Sequence, residues 1–326
     1  MVSVVYQLSP NNEIIERLYR GLAFVRRIEE RVAEIYPTDK IKSPVHLSIG
    51  QEAASVAVCD VLNAEDIVSG TYRGHALYLA KGGSGKGMLA EMYGKTGGAA
   101  RGKGGSMHLV SPEHNVLGAS AVVGTNVPIA TGAALSAKMR NSGQIVAVFF
   151  GDGATEEGSF SESLNFAALK KLPMLFICEN NFYAIHEPIA KRWATDRLCE
   201  RVATYGIETH LIKDDDVLEL HDIASSAVQR LRSGAHEGPI FIEYQAYRFR
   251  EHVGPNEDFD QGYRDAQESK IWEERDQVAR LATMLNDDVR DLIDAEIAIE
   301  IDEAVRYAED SPIPEIEELY DHVYAD

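Results

Sequence analysis

Residues 145–181 decide the fold, and they read IVAVFFGDGATEEGSFSESLNFAALKKLPMLFICENN. The two short apolar runs, 145–150 and 174–178, are typical of strands buried on both faces. The residues between them, 157–170, predict a helix. A strand, a helix and a second strand form a right-handed crossover between parallel strands, and ligands bind beyond the carboxyl ends of such strands. This stretch therefore predicts a parallel sheet with a binding site at the ends of its two strands.

The same alternation continues along the chain, which predicts one α/β domain over residues 1–326. We expect a doubly wound parallel sheet flanked by helices, with an N-terminal helical arm at about 1–40 and an acidic helical C-terminal region at about 265–326. The segments with helical or strand periodicity are helices at 11–35, 125–138, 217–232 and 265–310, and strands at 206–212 and 240–245.

Composition limits the function classes. The formal net charge of -20 argues against nucleic acid and anionic membranes as partners, because binding to either depends on Lys and Arg. The three cysteines lie far apart without metal-ligand spacing, so neither a disulfide framework nor a zinc site is predicted. The first residues have no signal-peptide pattern and no apolar run is long enough to span a bilayer, so we expect a cytoplasmic protein.

Two polar motifs follow the two strands of the opening stretch. Gly151-Asp152-Gly153 ends the first, and Asn180-Asn181 ends the second, with Asn181 29 positions after Asp152 (181 − 152). A carboxylate and an amide oxygen are ligands that Mg²⁺ accepts while phosphate oxygens and water complete its octahedron. Gly-Asp-Gly alone is more often a turn, and the asparagine pair at the neighbouring strand end favours the metal site.

The stretch 81–118 is rich in glycine. Glycine permits positive φ and close approach of backbone to a ligand, but a mobile surface loop has the same composition. Both interpretations stay open at this point.

The spaced Gly-Asp-Gly and Asn-Asn pair resembles the signature of thiamine diphosphate-dependent enzymes. The resemblance extends over nearly the whole chain to the alpha subunits of pyruvate, acetoin and branched-chain 2-oxo acid dehydrogenases, and it implies the thiamine diphosphate-binding fold. The matching stretches are 46–53, 72–75, 91–95, 101–108, 123–124, 128, 165, 167–169, 172–173, 179–181, 183, 238–239, 247–248 and 252.

The resemblance implies a role for each matching site residue. It implies that Asp152, Asn181 and the backbone carbonyl of Tyr183 ligate Mg²⁺. Backbone around Val123 would receive the aminopyrimidine. The residues that would hold the diphosphate are Tyr72, Arg73, Gly153, Ala154 and His252.

Three histidines match the imidazoles that lie near the reacting carbon in the family. They are His46, His75 and His252, which would serve in proton transfer and in steadying a carboxylate or enolate. A lone histidine is more often a structural residue, and the three together favour the site.

The resemblance also implies a reaction and partners. We expect oxidative decarboxylation of a 2-oxo acid, or cleavage of acetoin, with acyl transfer to lipoamide. The implied partners are a beta subunit in an alpha2beta2 heterotetramer and a lipoyl acyltransferase. One alternative is a carboligase that adds a two-carbon unit to a carbonyl acceptor such as a keto sugar, and another is a non-catalytic scaffold subunit that retains the fold.

The chain departs from the family in the loop after the last predicted strand. Regulated members carry a serine at the position of Val253, so phosphorylation at this position is chemically impossible here. The loop also carries Arg250, Glu251, Glu257 and Asp258, which we expect near the site entrance, either as a solvated loop or as part of an altered acceptor site. His186 and Glu187 also differ from the family, and their roles stay undecided.

Overall fold

A six-stranded parallel sheet forms the centre of the molecule in a computed structural model that describes residues 12–321. The predicted start of the N-terminal arm at residues 1–11 lies outside the described residues, as do residues 322–326. The strand order is β2-β1-β3-β4-β8-β7, and β5 pairs with β6 in a separate antiparallel hairpin. The strands are β1 (Ile67–Thr71), β2 (Val116–Ser120), β3 (Val146–Gly151), β4 (Met174–Asn180), β5 (Tyr183–Ala184), β6 (Glu187–Pro188), β7 (Glu208–Ile212) and β8 (Ile240–Gln245).

Helices flank the sheet and form the C-terminal part of the described chain. Within residues 12–321 they are α1 (Asn12–Ile35), α2 (Glu52–Val61), α3 (His75–Ala80), α4 (Gly85–Met92), α5 (Asn126–Arg140), α6 (Gly158–Lys170), α7 (Ile189–Arg192), α8 (Leu198–Ala203), α9 (Val217–Ser233), α10 (Ala266–Glu273), α11 (Gln277–Ala282) and α12 (Asp287–Asp310). The predicted α/β class with a helical C-terminal region is therefore confirmed. None of these helices combines the length and apolarity needed to cross a bilayer.

The sheet is buried on both faces, which explains the continuous apolar runs. Successive residues of β3 point to opposite faces. Phe150 packs in a cluster with residues of α5, α6 and α8, whereas Phe149 joins the larger core with α1, α2 and α9. The Phe150 ring lies 5.5 Å from the ring of Phe160 and 6.3 Å from that of Phe241. Burial of each such side chain contributes about 1.5–3 kcal/mol, so these packed rings fix how α6 sits on the sheet.

Helix α1 packs its apolar face into the core. Its apolar face, which includes Leu18 and Leu22, is fully buried. Its basic residues reach the acidic C-terminal helix α12, where Arg20 pairs with Glu296 at 2.7 Å and Arg31 pairs with Asp302 at 2.9 Å. The acidic surface of α12 is therefore partly neutralised inside the molecule.

Glu91 organises the glycine-rich segment after α4. Its fully buried carboxylate accepts four backbone N–H bonds of 2.7–3.0 Å, and the donors are Ala100, Gly102, Gly104 and Gly105. A Cβ atom at Gly98 would lie 2.3 Å from a carboxylate oxygen of Glu91. These glycines let the backbone wrap a buried anion, so this part of the stretch is an ordered loop.

Candidate active site

A cavity of about 290 Å³ opens at the carboxyl ends of β1, β3 and β4. It lies at the strand ends where the sequence predicts a binding site. All the residues expected to hold cofactor or metal line it, namely Tyr72, Arg73, Val123, Asp152, Gly153, Ala154, Asn181, Tyr183 and His252. Other surface depressions are larger, and the two of about 560 and 550 Å³ beside the end of α12 contain none of these residues.

Sheet register brings the two predicted ligand side chains together. Gly151 of β3 is paired with Glu179 of β4, so Asp152 and Asn181 follow paired positions on neighbouring parallel strands. Both side chains are buried and both residues line the cavity.

The two asparagines at the end of β4, Asn180 and Asn181, have different environments. The amide of Asn181 donates to Gln51 Oε1 at 3.0 Å, and its oxygen accepts the backbone N–H of Tyr183 at 3.1 Å. Asn180 instead donates to Glu243 Oε1 at 2.8 Å. Asn181 therefore lines the cavity, whereas Asn180 ties β4 to β8.

A tight turn follows Asn181 and brings Tyr183 to the cavity. Phe182 adopts a positive φ of 69°, and the short hairpin of β5 and β6 begins at the next residue. The backbone of Gly153 lies against this hairpin, and a Cβ atom there would meet Ala184 Cβ at 3.0 Å. Glycine at 153 therefore leaves room for backbone and ligand to approach each other at the Asp152 turn.

The cavity is rich in carboxylates. In the described part of the chain, its lining residues include one guanidinium, that of Arg73, and four carboxyl groups, on Asp152, Glu156, Glu157 and Glu179. Burial raises the pKa of Glu179 to about 8. Burial also raises the pKa of Asp152, although the neighbouring Arg192 acts in the opposite direction. An anionic ligand entering this cavity needs a cation beside it, because carboxylates repel it.

Arg73 is held in place by backbone carbonyls. Its guanidinium donates to Leu47 O at 2.6 Å and to His252 O at 3.2 Å. Burial and the nearby charge of Arg248 lower the pKa of Arg73 to about 10, so the group is positive at neutral pH. It gives an anion a preoriented, charged donor.

Two of the three predicted histidines form an aromatic cluster with Tyr72. The ring of His46 lies 4.5 Å from the ring of Tyr72 and 5.2 Å from that of His252. Burial, reinforced by Arg73, lowers the pKa of His46 to about 3 and that of His252 to about 2, so both rings are neutral at pH 7. His252 lines the cavity, while His46 lies behind it with its Nδ1 atom unpartnered among residues 12–321.

His75 is not brought to the cavity. It is fully buried, its Nδ1 atom lies 2.8 Å from Glu29 Oε1, and its Nε2 atom lies 2.8 Å from Ser106 Oγ. Because both ring nitrogens are already bonded inside the protein, this geometry favours a structural role over the proton transfer expected for His75.

The loop after β8 also differs from the expectation for Asp258. This carboxylate is fully buried rather than placed at the entrance, and it pairs with Arg264 at 2.6 Å and accepts a hydrogen bond from Tyr263. The His186 ring lies 4.6 Å from the ring of Tyr263, in a tilted arrangement, and 6.4 Å from that of His252. Asp258 therefore bonds within its own loop, and His186 packs between Tyr263 and the cavity residue His252.

Several cavity residues were not identified from the sequence. Glu179 stands directly before the asparagine pair, and that position next to a predicted ligand was the available signal. Gln51 lies in the matching stretch 46–53 but was given no role, and Glu156 and Glu157 had no distinguishing pattern. Neither had Arg192, whose guanidinium bonds to Asp152 across 40 positions of sequence.

The donor set fits a magnesium diphosphate. Asp152 and Asn181 supply hard oxygen atoms, and the buried carboxylate of Asp152 already has a cationic partner in Arg192. Within residues 12–321 no group of three or more His, Cys, Asp or Glu side chains is placed to hold a metal ion. A magnesium ion here would therefore take much of its coordination shell from ligand oxygens and water, as Mg²⁺ commonly does.

The fold and the cavity define a class of α/β enzymes that bind a ligand at the carboxyl ends of parallel strands. The chain belongs to the dehydrogenase E1 component family, whose model matches residues 20–317. This membership confirms the expected oxidoreductase class and thiamine diphosphate as the cofactor.

Relatives of known activity match along most of their length. The chain is 37% identical to the alpha-3 subunit of the chloroplastic pyruvate dehydrogenase E1 component of Arabidopsis thaliana, over 95% of this chain and 74% of that protein. It is 36% identical to the alpha subunit of the acetoin:2,6-dichlorophenolindophenol oxidoreductase of Bacillus subtilis, over 94% of this chain and 92% of that protein. The expected resemblance to alpha subunits of this family is confirmed.

A solved structure supports the fold. Transketolase from Leishmania mexicana superposes with a TM-score of 0.52 at 17% identity, over 93% of this chain. The chain spans about half of that protein, 47% of its length. At this identity the likeness shows the shared fold alone.

Proposed function

We propose that this chain is the diphosphate-binding alpha subunit of an enzyme that decarboxylates a 2-oxo acid, or cleaves acetoin, and passes the acyl group to lipoamide. The observation that carries the proposal is the position of Asp152 and Asn181 at adjacent strand ends, on one cavity with Arg73 and His252. The pyruvate and acetoin enzymes among its relatives support this substrate class. They offer no support for the carboligase alternative.

In this proposal Asp152, Asn181 and the backbone carbonyl of Tyr183 ligate Mg²⁺. The acidic lining of the cavity supports a metal, because the carboxylate of Glu157 would otherwise repel a diphosphate, while that of Glu156 already has Arg192 as its partner. The turn after Asn181 supports the third ligand, since it brings Tyr183 to the cavity wall.

Five residues hold the diphosphate in this proposal, and a sixth residue contacts the aminopyrimidine ring of the cofactor. Arg73 supplies a charged fork, and the absence of a side chain at Gly153 allows close approach. Backbone at Val123, which is partly exposed at the cavity wall, receives the aminopyrimidine. The remaining diphosphate contacts come from Tyr72, Ala154 and His252.

Bound thiamine diphosphate supplies the nucleophilic carbon and the electron sink that removal of carbon dioxide from a 2-oxo acid requires. The chain itself contributes the neutral imidazole of His252 at the cavity wall, with His46 behind it. An anionic substrate raises the pKa of a nearby imidazole, because the negative charge stabilises the protonated ring. That rise starts from about 2, so His252 stays neutral at pH 7 and offers the substrate carboxylate a hydrogen bond from its ring N–H.

The proposed partners are a beta subunit, in an alpha2beta2 heterotetramer, and a lipoyl acyltransferase. The names of the relatives as alpha subunits support a partner subunit. Apolar side chains that remain exposed on neighbouring helices α5 and α6 support it further, since such patches mark interaction surfaces; they are Ile129, Met139, Phe166 and Leu169. The cytoplasmic location stays a prediction from the sequence.

The proposal is tested with the chain co-purified with a candidate beta subunit from the same genome. Release of carbon dioxide and reduction of lipoamide are measured with pyruvate, branched-chain 2-oxo acids and acetoin, the last assayed by lipoamide reduction and acetaldehyde release. We expect lipoamide reduction that depends on one of these substrates and on added thiamine diphosphate. Formation of a new carbon–carbon bond without lipoamide reduction would overturn the dehydrogenase assignment in favour of a carboligase.

A further inference from the structure

The guanidinium of Arg192 lies beside the proposed metal ligand Asp152. Its side chain is 8% exposed, and its guanidinium is bonded to the carboxylates of both Asp152 and Glu156. The Nε atom of the same group donates to Glu187 O at 3.0 Å. All three guanidinium nitrogens are therefore used, and two of them face carboxylates at the cavity.

The two acceptors of Arg192 differ in their surroundings. Asp152 is almost fully buried, so its carboxylate depends on a nearby cation for compensation. The Glu156 side chain is 38% exposed and can be solvated without one. The contact with Asp152 is therefore the one that the metal-free protein needs.

A divalent ion and Arg192 compete for Asp152. Magnesium binds carboxylate oxygens at about 2.0–2.1 Å, and Arg192 Nη2 is hydrogen-bonded to Asp152 Oδ2. An ion on this carboxylate would lie within a few ångströms of the guanidinium, where like charges repel strongly at low effective dielectric. Arg192 contacts Oδ2, so an ion that binds through Oδ1 would weaken the hold of Arg192 on this carboxylate by charge repulsion.

We propose that Arg192 is a resident counter-cation of the metal site, which neutralises Asp152 in the metal-free protein and moves away when the ion binds. The inference rests on the proposed function, because it takes Asp152 as a magnesium ligand. Glu156 is the acceptor that keeps Arg192 near the site after displacement, since it already holds the second guanidinium nitrogen. Arg192 thereby sets how tightly the enzyme holds its metal.

Trp193 provides a local reporter of this movement. Its indole Nε1 donates to Glu156 Oε1 at 3.0 Å, and Arg201 lies over its ring at 5.5 Å. Because Trp193 follows Arg192 and shares Glu156 with it, a shift of the guanidinium changes the environment of the indole. The second tryptophan of the chain, Trp272, can be replaced by phenylalanine so that Trp193 is the only tryptophan that this chain contributes to the signal.

The test compares Arg192→Gln with Arg197→Gln in the complex with the beta subunit. Arg197 is a matched control on the same segment, with a side chain that is 62% exposed and paired with Glu200. Magnesium chloride is titrated calorimetrically at saturating thiamine diphosphate. We expect Arg192→Gln to bind Mg²⁺ about tenfold more tightly, because a repelling charge is removed, and the control to match the wild type.

Two further readouts accompany the titration. The metal-free Arg192→Gln protein should melt at a lower temperature than the wild type, because Asp152 loses its partner. In the Trp272→Phe background, magnesium should shift the emission of Trp193 with Arg192 present and leave it nearly unchanged with glutamine at 192. If Arg192→Gln does not fold, Arg192→Lys is used, and its weaker, single-point contact should also tighten metal binding.

An Mg²⁺ affinity that is unchanged or weaker in Arg192→Gln would overturn the inference and assign Arg192 a structural or ligand-binding role. A wild-type complex that binds no magnesium thiamine diphosphate would instead remove the proposed function. The two failures are therefore distinguishable in one set of titrations.

Discussion

Gly151 and Glu179 are paired in register on neighbouring parallel strands. This pairing places Asp152 one residue beyond its strand position and Asn181 two residues beyond its own, so both side chains reach one cavity. It also places the carboxyl group of Glu179 at the cavity wall with a pKa of about 8. The backbone register of β3 and β4 thus defines both the proposed ligands and the electrostatics around them.

Stability should depend on pH through Glu179. Its pKa is about 8 in the folded protein against 4.5 as the ordinary value, so the folded state holds a proton that the unfolded chain releases. Stability therefore falls as pH rises through this window. Glutamine cannot ionise, and Glu179→Gln should be more stable than the wild type in urea at pH 8.5, with the difference shrinking toward pH 5.

The control for this series is Glu162→Gln, an exposed position on α6. Its effect on the free energy of unfolding should be small and similar at both pH values. A difference between Glu179→Gln and the wild type that stayed constant from pH 5 to pH 8.5 would contradict the prediction.

Replacing Glu91 should destabilise the glycine-rich loop. Glu91→Gln replaces two acceptor oxygens with one, so backbone N–H groups that now bond to the carboxylate lose their partners. We expect a loss of about 2–4 kcal/mol in the free energy of unfolding, since hydrogen bonds to charged groups contribute about 1.5–3 kcal/mol each. Urea denaturation measures it, and limited proteolysis should cut the loop faster. Stability equal to that of Glu34→Gln, an exposed position on α1, would refute it.

Substitutions of His75 and His252 should have different effects: the first should lower stability, and the second should weaken cofactor binding. His75→Asn cannot keep both the Glu29 and Ser106 contacts, and we expect a loss of about 1–3 kcal/mol in stability, as for an unmet buried hydrogen bond. His252→Asn should retain the melting temperature and weaken thiamine diphosphate binding. Thermal melts and calorimetry on both variants provide the measurements, and the reverse pattern would assign the cofactor role to His75.

Strands β3 and β4 could be predicted because the sequence pattern that identifies each of them lies within a few consecutive residues. The runs around Phe150 and Ile177 are apolar on both faces, and each ends at a conspicuous polar motif. Strands β1 and β2 escaped prediction because they are five residues long and contain glycine at 70 and 118. They are strands chiefly because they pair with each other and β1 pairs with β3, and such pairing is not visible in a local pattern.

The site residues divide in the same way. Some are identified by a local motif, and others reach the site only through contacts made in the folded chain. Tyr72, Arg73 and His252 were identified through motifs, and all three line the cavity. Arg192 was missed, because its contact with Asp152 depends on the hairpin that follows β4 folding back over the strand ends. His75 belongs to a matching motif, yet burial and two hydrogen bonds hold it away from the cavity.

Calorimetric titration of thiamine diphosphate into the complex with the beta subunit, with and without Mg²⁺, measures whether Asp152 binds the cofactor through the metal. We expect binding that requires Mg²⁺, a loss of at least about 100-fold in affinity for Asp152→Ala, equivalent to about 2.7 kcal/mol, and wild-type affinity for Asp222→Ala, whose side chain is 87% exposed. Asp152→Ala binding the cofactor as tightly as the wild type, or binding that is indifferent to Mg²⁺, would contradict this expectation.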